Sequence, residues 1–142
     1  MKKAIAISVL LFSYSAFADT LTTLSKEEVL KTYQGNTVKS VPLANLDGEL
    51  VPVLFQIYFD KNGQAMGKFN KKPTGDEPQT DTGTWNVKDN GALCVTWEHW
   101  EGKEVCALTY TLGNGYLLVN PDNNNFESVI HKDIKSGNQI SG

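Results

Sequence analysis

The sequence contains no arginine, and this absence narrows what the chain can bind. Its 13 basic residues are all lysines, and 16 Asp and Glu outnumber them, giving a formal net charge of −3. Nucleic acids and anionic membrane surfaces attract proteins through concentrated positive charge, and bidentate phosphate capture uses the planar guanidinium group. The composition therefore argues against a nucleic-acid partner and against a membrane-surface partner.

Long hydrophobic runs are also missing. The one extended apolar run, at residues 4–12, is too short for a bilayer of about 30 Å, which needs about 20 residues. Two lysines precede this run, and the small-x-small sequence Ala-Phe-Ala at residues 16–18 follows it. The pattern predicts a cleavable signal peptide of bacterial type over residues 1–18. Residues 19–142 would then form one periplasmic or secreted domain with a net charge of −5.

Motifs of known catalytic chemistry are absent. Neither Gly-x-Ser-x-Gly nor His-Glu-x-x-His nor a phosphate-binding loop occurs. The only histidines are His99 and His131, and a metal site would need them to converge with carboxylates. The acidic candidates for such a site are Glu98, Glu101, Glu104 and Asp133. The run at residues 122–125, Asp-Asn-Asn-Asn, lacks the glycine and terminal glutamate of a calcium loop. We therefore predict no metal, no cofactor and no catalytic residue.

Cysteine is scarce, with only Cys94 and Cys106. Two cysteines in a chain predicted to be exported favour a disulfide. Side-chain alternation complicates this pairing, because it places Cys94 on the outer face of its strand. The apolar set of the next strand, which shares the parity of Cys106, is predicted to point inward: Leu108, Tyr110 and Leu112. Either a bulge near residues 99–102 shifts the parity, or the bridge does not form.

One helix is predicted near the start of the mature chain. Ser25 is a suitable N-cap, Glu28 completes a capping box three residues on, and Gly35 is placed to end the helix. From Asn36 onward the signals favour strands. The expected strands are 38–41, 50–59, 65–69, 83–87, 92–97, 105–112, 116–119 and 126–134.

Several breaks separate these strands. Pro52 predicts an edge or a bulge at the start of its strand, because proline cannot donate to a ladder. Residues 71–79 predict a long polar loop, and residues 121–125 a polar turn.

Two hairpins share the turn sequence Asn-Gly, at residues 62–63 and 90–91. Three-residue loops at 61–63 and 89–91 keep apolar residues opposite one another, with positive φ at both glycines. The predicted pairs are Phe59 with Ala65, Ile57 with Gly67, Phe55 with Phe69, Val87 with Leu93, Trp85 with Val95, and Gly83 with Trp97. The last pair would let the indole lie against a glycine.

The fold class that follows is mainly all-β. About eight antiparallel strands in an up-and-down meander would close into a lipocalin-like barrel, because closure removes exposed strand edges. The N-terminal helix would plug one end or pack outside. A β-sandwich is the alternative.

The tetrapeptide Trp97-Glu98-His99-Trp100 is the most unusual in the chain. Its two tryptophans, three residues apart, face opposite sides of a strand. Trp97 fits the core, whereas Trp100 would be exposed, either as a binding anchor or as a cover for the disulfide.

Two resemblances follow from these residues. Gly83-Thr84-Trp85 is similar to the Gly-x-Trp of lipocalins, although there it lies on the first strand and here it lies mid-chain. A wider resemblance is to a bacterial exported family, domain of unknown function 995. It rests on residues 81–85 (Asp-Thr-Gly-Thr-Trp), Leu93-Cys94-x-x-Trp97, Cys106 and the preceding helix. This resemblance implies a small secreted β-domain with paired cysteines and no assigned activity.

The leading functional expectation is a non-enzymatic, exported binding protein for a small apolar or amphipathic ligand. The candidate ligand-binding residues are Phe55, Phe69, Trp85, Trp97 and Trp100. One alternative is a protein-interaction or inhibitor module that acts on an envelope or host protein through Trp100 and the 71–79 loop. Another is an enzyme whose site is assembled from residues distant in sequence.

Overall fold

A computed structural model describes residues 21–71, 79–100, 102–122 and 128–140. The predicted signal peptide, Glu101, nearly all of the 71–79 loop and Asn123–Asn125 lie outside the described residues. The elements are α1 (Lys26–Tyr33), β1 (Asn36–Leu46), β2 (Glu49–Val51), β3 (Val53–Phe59), β4 (Gln64–Lys71), β5 (Gln79–Val87), β6 (Leu93–Trp97), β7 (Glu104–Leu112), β8 (Gly115–Val119) and β9 (Ser128–Ser136).

The strands form a closed antiparallel barrel. Sequential strands from β3 to β9 pair with their neighbours, β1 pairs with β3, and a β1–β9 pairing closes the ring at eight strands. The ninth strand, β2, pairs only with the end of β1, through Ala44 to Leu46. The predicted barrel is confirmed, and the β-sandwich alternative is wrong.

The two Asn-Gly hairpins have the predicted registers. Phe59 lies opposite Ala65 and Trp85 opposite Val95, and both turn glycines, Gly63 and Gly91, have a φ of 84°. All six predicted pairs occur.

The glycine beneath the Trp97 indole differs from the one expected. Gly83 is opposite Trp97, but a Cβ at Gly83 would overlap the backbone carbonyl of Thr96 rather than the indole. The rings of Trp97 and Phe69 lie over Gly67 instead, where a Cβ would overlap both. Two glycines on adjacent strands therefore let this part of the barrel pack closely.

Proline interrupts the strand that was expected over residues 50–59. Pro52 separates β2 from β3, as its missing N–H predicts. β1 bends at the same level, where a register shift between Ser40 and Ala44 leaves extra residues out of the ladder with β9. The bend lets β1 pair with β3 in its first half and with β2 in its second.

The disulfide between Cys94 and Cys106 is present, and the expected orientation of β7 is wrong. The two cysteines are directly opposite in an unshifted register, so no bulge is needed. Ala107 and Thr109 are the buried residues of β7, which places Cys106 on the outer face with Cys94. The residues predicted to point inward are half-buried or exposed on the other face: Leu108, Tyr110 and Leu112.

The segment before the helix explains part of this difference between the expected and the observed orientation of β7. β6 begins at Leu93, opposite Ala107, so the remainder of β7 lacks β6 as a partner. Thr23 forms a bridge with Tyr110, and the Leu24 amide donates to the Thr109 carbonyl at 2.8 Å. The chain upstream of α1 therefore pairs with the free end of β7, and satisfies backbone groups that would otherwise lack a partner.

The helix closes one end of the barrel. Its N-terminus has the predicted capping box, in which Ser25 and Glu28 bond reciprocally, and Gly35 follows it with a φ of 75°. Val29 and Tyr33, four residues apart on one helix face, are both fully buried in the core. The N-terminal helix is thus a plug of the barrel rather than an outer layer. We call this the helix-closed end.

Candidate ligand-binding site

The barrel interior contains a cavity of about 80 Å³. A single water needs only about 10–15 Å³ of such space, so the cavity has room for a small organic molecule. Its lining is apolar apart from the His131 imidazole and the indole N–H groups of Trp97 and Trp100. The lining residues are Phe55, Ile57, Phe59, Phe69, Leu93, Val95, Trp97, Trp100, Val105, Ala107, Leu118, Val129 and His131.

Aromatic rings line the end of the cavity opposite the helix. The ring centroid of Phe69 lies 5.4 Å from Phe55 and 5.3 Å from Trp97, both in edge-to-face geometry. Trp100, in the turn after β6, lies 5.6 Å from the same ring. Phe69 therefore joins these aromatic side chains into one wall.

Trp100 forms the rim of this wall. It is 36% exposed, whereas Trp97 is 5% exposed, so the cavity meets the surface at Trp100. The expectation that Trp97 is in the core and Trp100 at the surface is confirmed. The disulfide lies on the outer face of the sheet, so Trp100 covers the cavity rather than the disulfide.

His131 lies toward the helix-closed end. It projects from β9 into the barrel, is 2% exposed, and its Nδ1 is 3.2 Å from the Tyr33 hydroxyl of the plug. Burial lowers the pKa of His131 from 6.5 to about 4, so the imidazole is neutral at physiological pH. Burial also raises the pKa of Tyr33, which keeps its proton. The cavity therefore has one uncharged polar group at its inner end.

Four of the five predicted site residues line this cavity, namely Phe55, Phe69, Trp97 and Trp100. Trp85 is not among the lining residues. Its ring packs on Phe59 at 5.3 Å, and its Nε1 donates to the Asp60 carbonyl at 2.8 Å, beside the first Asn-Gly turn. Trp85 belongs to the core near the helix-closed end.

Sequence reasoning missed several aliphatic lining residues, and it missed His131. Alternation on β3 and β6 could have identified Ile57, Leu93 and Val95, which share faces with the predicted aromatics. No comparable signal marks His131, because its position depends on where β9 meets β1, near Ser40.

The other histidine, His99, pairs with a carboxylate that the sequence did not suggest. Its Nδ1 lies 2.8 Å from Oδ1 of Asp81, which is buried on β5. The two acceptor oxygens of Asp81 also receive the backbone amides of Thr82 at 2.8 Å and His99 at 3.2 Å. This hydrogen bond and the charge of Asp81 raise the pKa of His99 above its usual 6.5.

The Asp81–His99 pair holds the turn that carries Trp100. The imidazole is 78% exposed, and the described residues give its Nε2 no hydroxyl or thiol partner that it could activate. Because Asp81 fixes both the backbone and the ring of His99, the pair positions the rim of the cavity. Among the described residues that line the cavity, His131 is present and His99 is not, so the two histidines do not meet there.

One acidic group adjoins the disulfide. Glu104 lies close enough to Cys94 and Cys106 for their ligand atoms to fall within 4.8 Å of one another. Both sulfurs are committed to the disulfide, and Glu104 accepts an ion pair from Lys88 at 2.8 Å. Since thiolates rather than disulfide sulfurs bind metals, these three side chains do not form a metal site.

The fold and the cavity define a small closed β-barrel with an apolar interior chamber. No family model, no curated protein and no solved structure matches the chain. The resemblance to domain of unknown function 995 stays a prediction. Within the described residues, no helix combines the length and the apolar character that a membrane crossing requires.

Proposed function

We propose that this chain is an exported binding protein that holds a small apolar or amphipathic ligand inside the barrel. The observation that carries the proposal is the interior cavity, lined by four aromatic residues that the sequence singled out. Small-molecule sites in proteins are concave, mostly apolar, and contain a few placed polar groups. The aromatic wall and the single imidazole of His131 fit that description.

The shape of the cavity favours a slim ligand. Phe55 and Phe59 both line it and lie four residues apart on β3, a separation of about 13 Å along a strand. A volume of about 80 Å³ spread over such a length suits a single chain better than a fused ring system.

Export is the second part of the proposal. The residue pattern at 1–18 and the Cys94–Cys106 disulfide both support an oxidising compartment such as the periplasm or the extracellular space. Mass spectrometry of the secreted or periplasmic fraction tests it. A mature chain that begins at Asp19 and contains the disulfide is expected, whereas an uncleaved cytoplasmic chain would contradict it.

Tryptophan fluorescence tests the binding itself. In the Trp85→Phe variant only Trp97 and Trp100 emit, and both line the cavity. Titration with alcohols of increasing chain length should then give a saturable change in emission. No response at any chain length would overturn the proposal.

Two substitutions at neighbouring positions provide the matched control. Ala107→Phe adds a ring to the cavity wall, whereas Leu108→Phe adds bulk on the opposite face of β7. Ala107→Phe should abolish the fluorescence response, and Leu108→Phe should preserve it. A response that survives unchanged in Ala107→Phe would locate the ligand outside the barrel.

A further inference from the structure

The environment of His131 restricts the chemistry of the ligand. Tyr33 lies across from His131, with ring centroids 5.7 Å apart, and its hydroxyl is the polar partner given to Nδ1. A buried phenol keeps its proton and needs an acceptor, and a neutral imidazole offers one acceptor nitrogen and one N–H donor. The Tyr33 hydroxyl also lies beside the buried side chain of Thr109, whose hydroxyl can donate to the phenol oxygen and leave the phenol proton for Nδ1. With Thr109 donating to Tyr33 and Tyr33 donating to Nδ1, we assign the His131 proton to Nε2.

No described residue accepts a hydrogen bond from the Nε2–H group. Among the described residues the only side-chain hydrogen bond of His131 is the one at Nδ1, although the side chain is almost fully buried. The free space next to this imidazole is the cavity that it lines. The donor is therefore placed for an acceptor atom inside the chamber.

We propose that the cavity takes a single-chain ligand with an uncharged hydrogen-bond acceptor at one end, and that His131 Nε2 donates to this acceptor at the helix-closed end. The inference rests on the proposed binding function. The apolar body of the ligand would then extend past Phe55 and Phe69 toward Trp100. Alcohols, aldehydes, ketones and esters belong to this class.

Charged end groups are disfavoured by the same lining. The cavity is lined by neither Lys, Asp nor Glu, so a buried carboxylate or ammonium would lack a counter-charge. Burying an unpaired charge costs far more than burying a neutral polar group that has one hydrogen bond. The absence of a counter-charge in the lining therefore disfavours fatty acids in their ionised form and alkylamines.

A panel of eight-carbon compounds with one chain length tests this selection. The panel contains octane, 1-octanol, 2-octanone, octanoate and octylammonium, titrated against the Trp85→Phe variant at pH 7. Octanol and octanone should bind about fivefold more tightly than octane, the effect of one hydrogen bond of about 1 kcal/mol. Octanoate and octylammonium should bind more weakly than octanol.

NMR of the imidazole nitrogens supplies a readout that a purely structural role for His131 would not move. The spectrum should show a proton on Nε2 in the free protein, and its resonance should shift with octanol but not with octane. Tyr33→Phe removes the hydroxyl that donates to Nδ1, so the His131 proton is no longer held on Nε2. The preference for octanol over octane should therefore shrink in that variant. His131→Leu should bind octane and octanol equally if it folds; Tyr33→Phe and the nitrogen spectrum decide the matter if it does not.

The outcomes separate the two proposals. If none of the five compounds binds, the binding function itself fails. If octane binds as tightly as octanol and the Nε2 resonance is unmoved, the barrel binds ligands but the role of His131 is wrong. A proton found on Nδ1 in the free protein would also overturn the inference.

Discussion

Acid should destabilise this barrel through His131 well before its carboxylates titrate. In the folded protein burial lowers the pKa of His131 to about 4, whereas in the unfolded chain it returns to about 6.5. Between these two pH values the unfolded chain binds a proton that the folded chain does not. The free energy of unfolding must therefore fall as the pH falls through this window, and must be unaffected by His131 above pH 6.5.

The size of the effect follows from the two pKa values. A change from 6.5 to 4 corresponds to about 3 kcal/mol in total. A domain of this size has about 5–15 kcal/mol of stability, so the loss is a large fraction of it.

His99 acts in the opposite direction and has to be removed from the comparison. Its folded pKa is raised by Asp81, so its stabilisation is fully present below pH 6.5 and is lost as the pH rises through the folded pKa. The exposed ring makes this contribution small. The His99→Gln variant retains a donor for Asp81 but does not titrate, so it isolates His131.

Urea unfolding of His99→Gln at intervals from pH 7.5 to 4.5 measures the effect. Carboxylates also take up protons below about pH 5 and contribute to the measured change in stability. An NMR titration of the His131 ring carbons therefore shows directly where this side chain titrates. The ring resonances should stay constant from pH 7.5 to 5. A His131 that titrates near 6.5, or a free energy of unfolding that is constant between pH 6.5 and 4.5, would refute the buried neutral imidazole.

Three further changes test the fold. Replacing Cys94 and Cys106 by alanine should lower the free energy of unfolding by about 3 kcal/mol, the entropy of a loop of this length; a loss below 1 kcal/mol in urea unfolding would contradict this. Gly83→Ala should cost about 1–3 kcal/mol in thermal unfolding, because its Cβ meets the Thr96 carbonyl, and an unchanged melting temperature would show that the strands are further apart. Ser25→Ala should cost about 1 kcal/mol through the lost cap, seen as a lower urea midpoint; no shift would mean that the helix N-terminus frays.

Local chemistry made much of this fold predictable. Asn-Gly turns fix the loop length and the backbone conformation of the turn. The pairing of Phe59 with Ala65 and of Trp85 with Val95 therefore follows from a few adjacent residues. The capping box likewise depends only on Ser25 and Glu28. The aromatic wall of the cavity followed from these registers.

The errors arose where distant segments meet. On β7 both faces contain apolar residues, so alternation alone could not show that Ala107 points inward and Tyr110 outward. The pairing of Thr23 with Tyr110, 87 positions apart, decides how the end of that strand is covered. His131 entered the site for the same reason, because the β1–β9 closure and the contact with Tyr33 are invisible in local sequence.

The central claim is that the barrel interior binds an apolar chain, and methyl NMR tests it most directly. Inner methyl groups of Ile57, Val95 and Leu118 line the cavity, whereas those of Leu43 and Leu50 are exposed. With 1-octanol bound, the inner methyls should shift and show nuclear Overhauser effects to the ligand chain, while the outer ones stay unchanged. Effects confined to Leu43 and Leu50, or absent from all five residues at saturating octanol, would contradict a ligand inside the barrel.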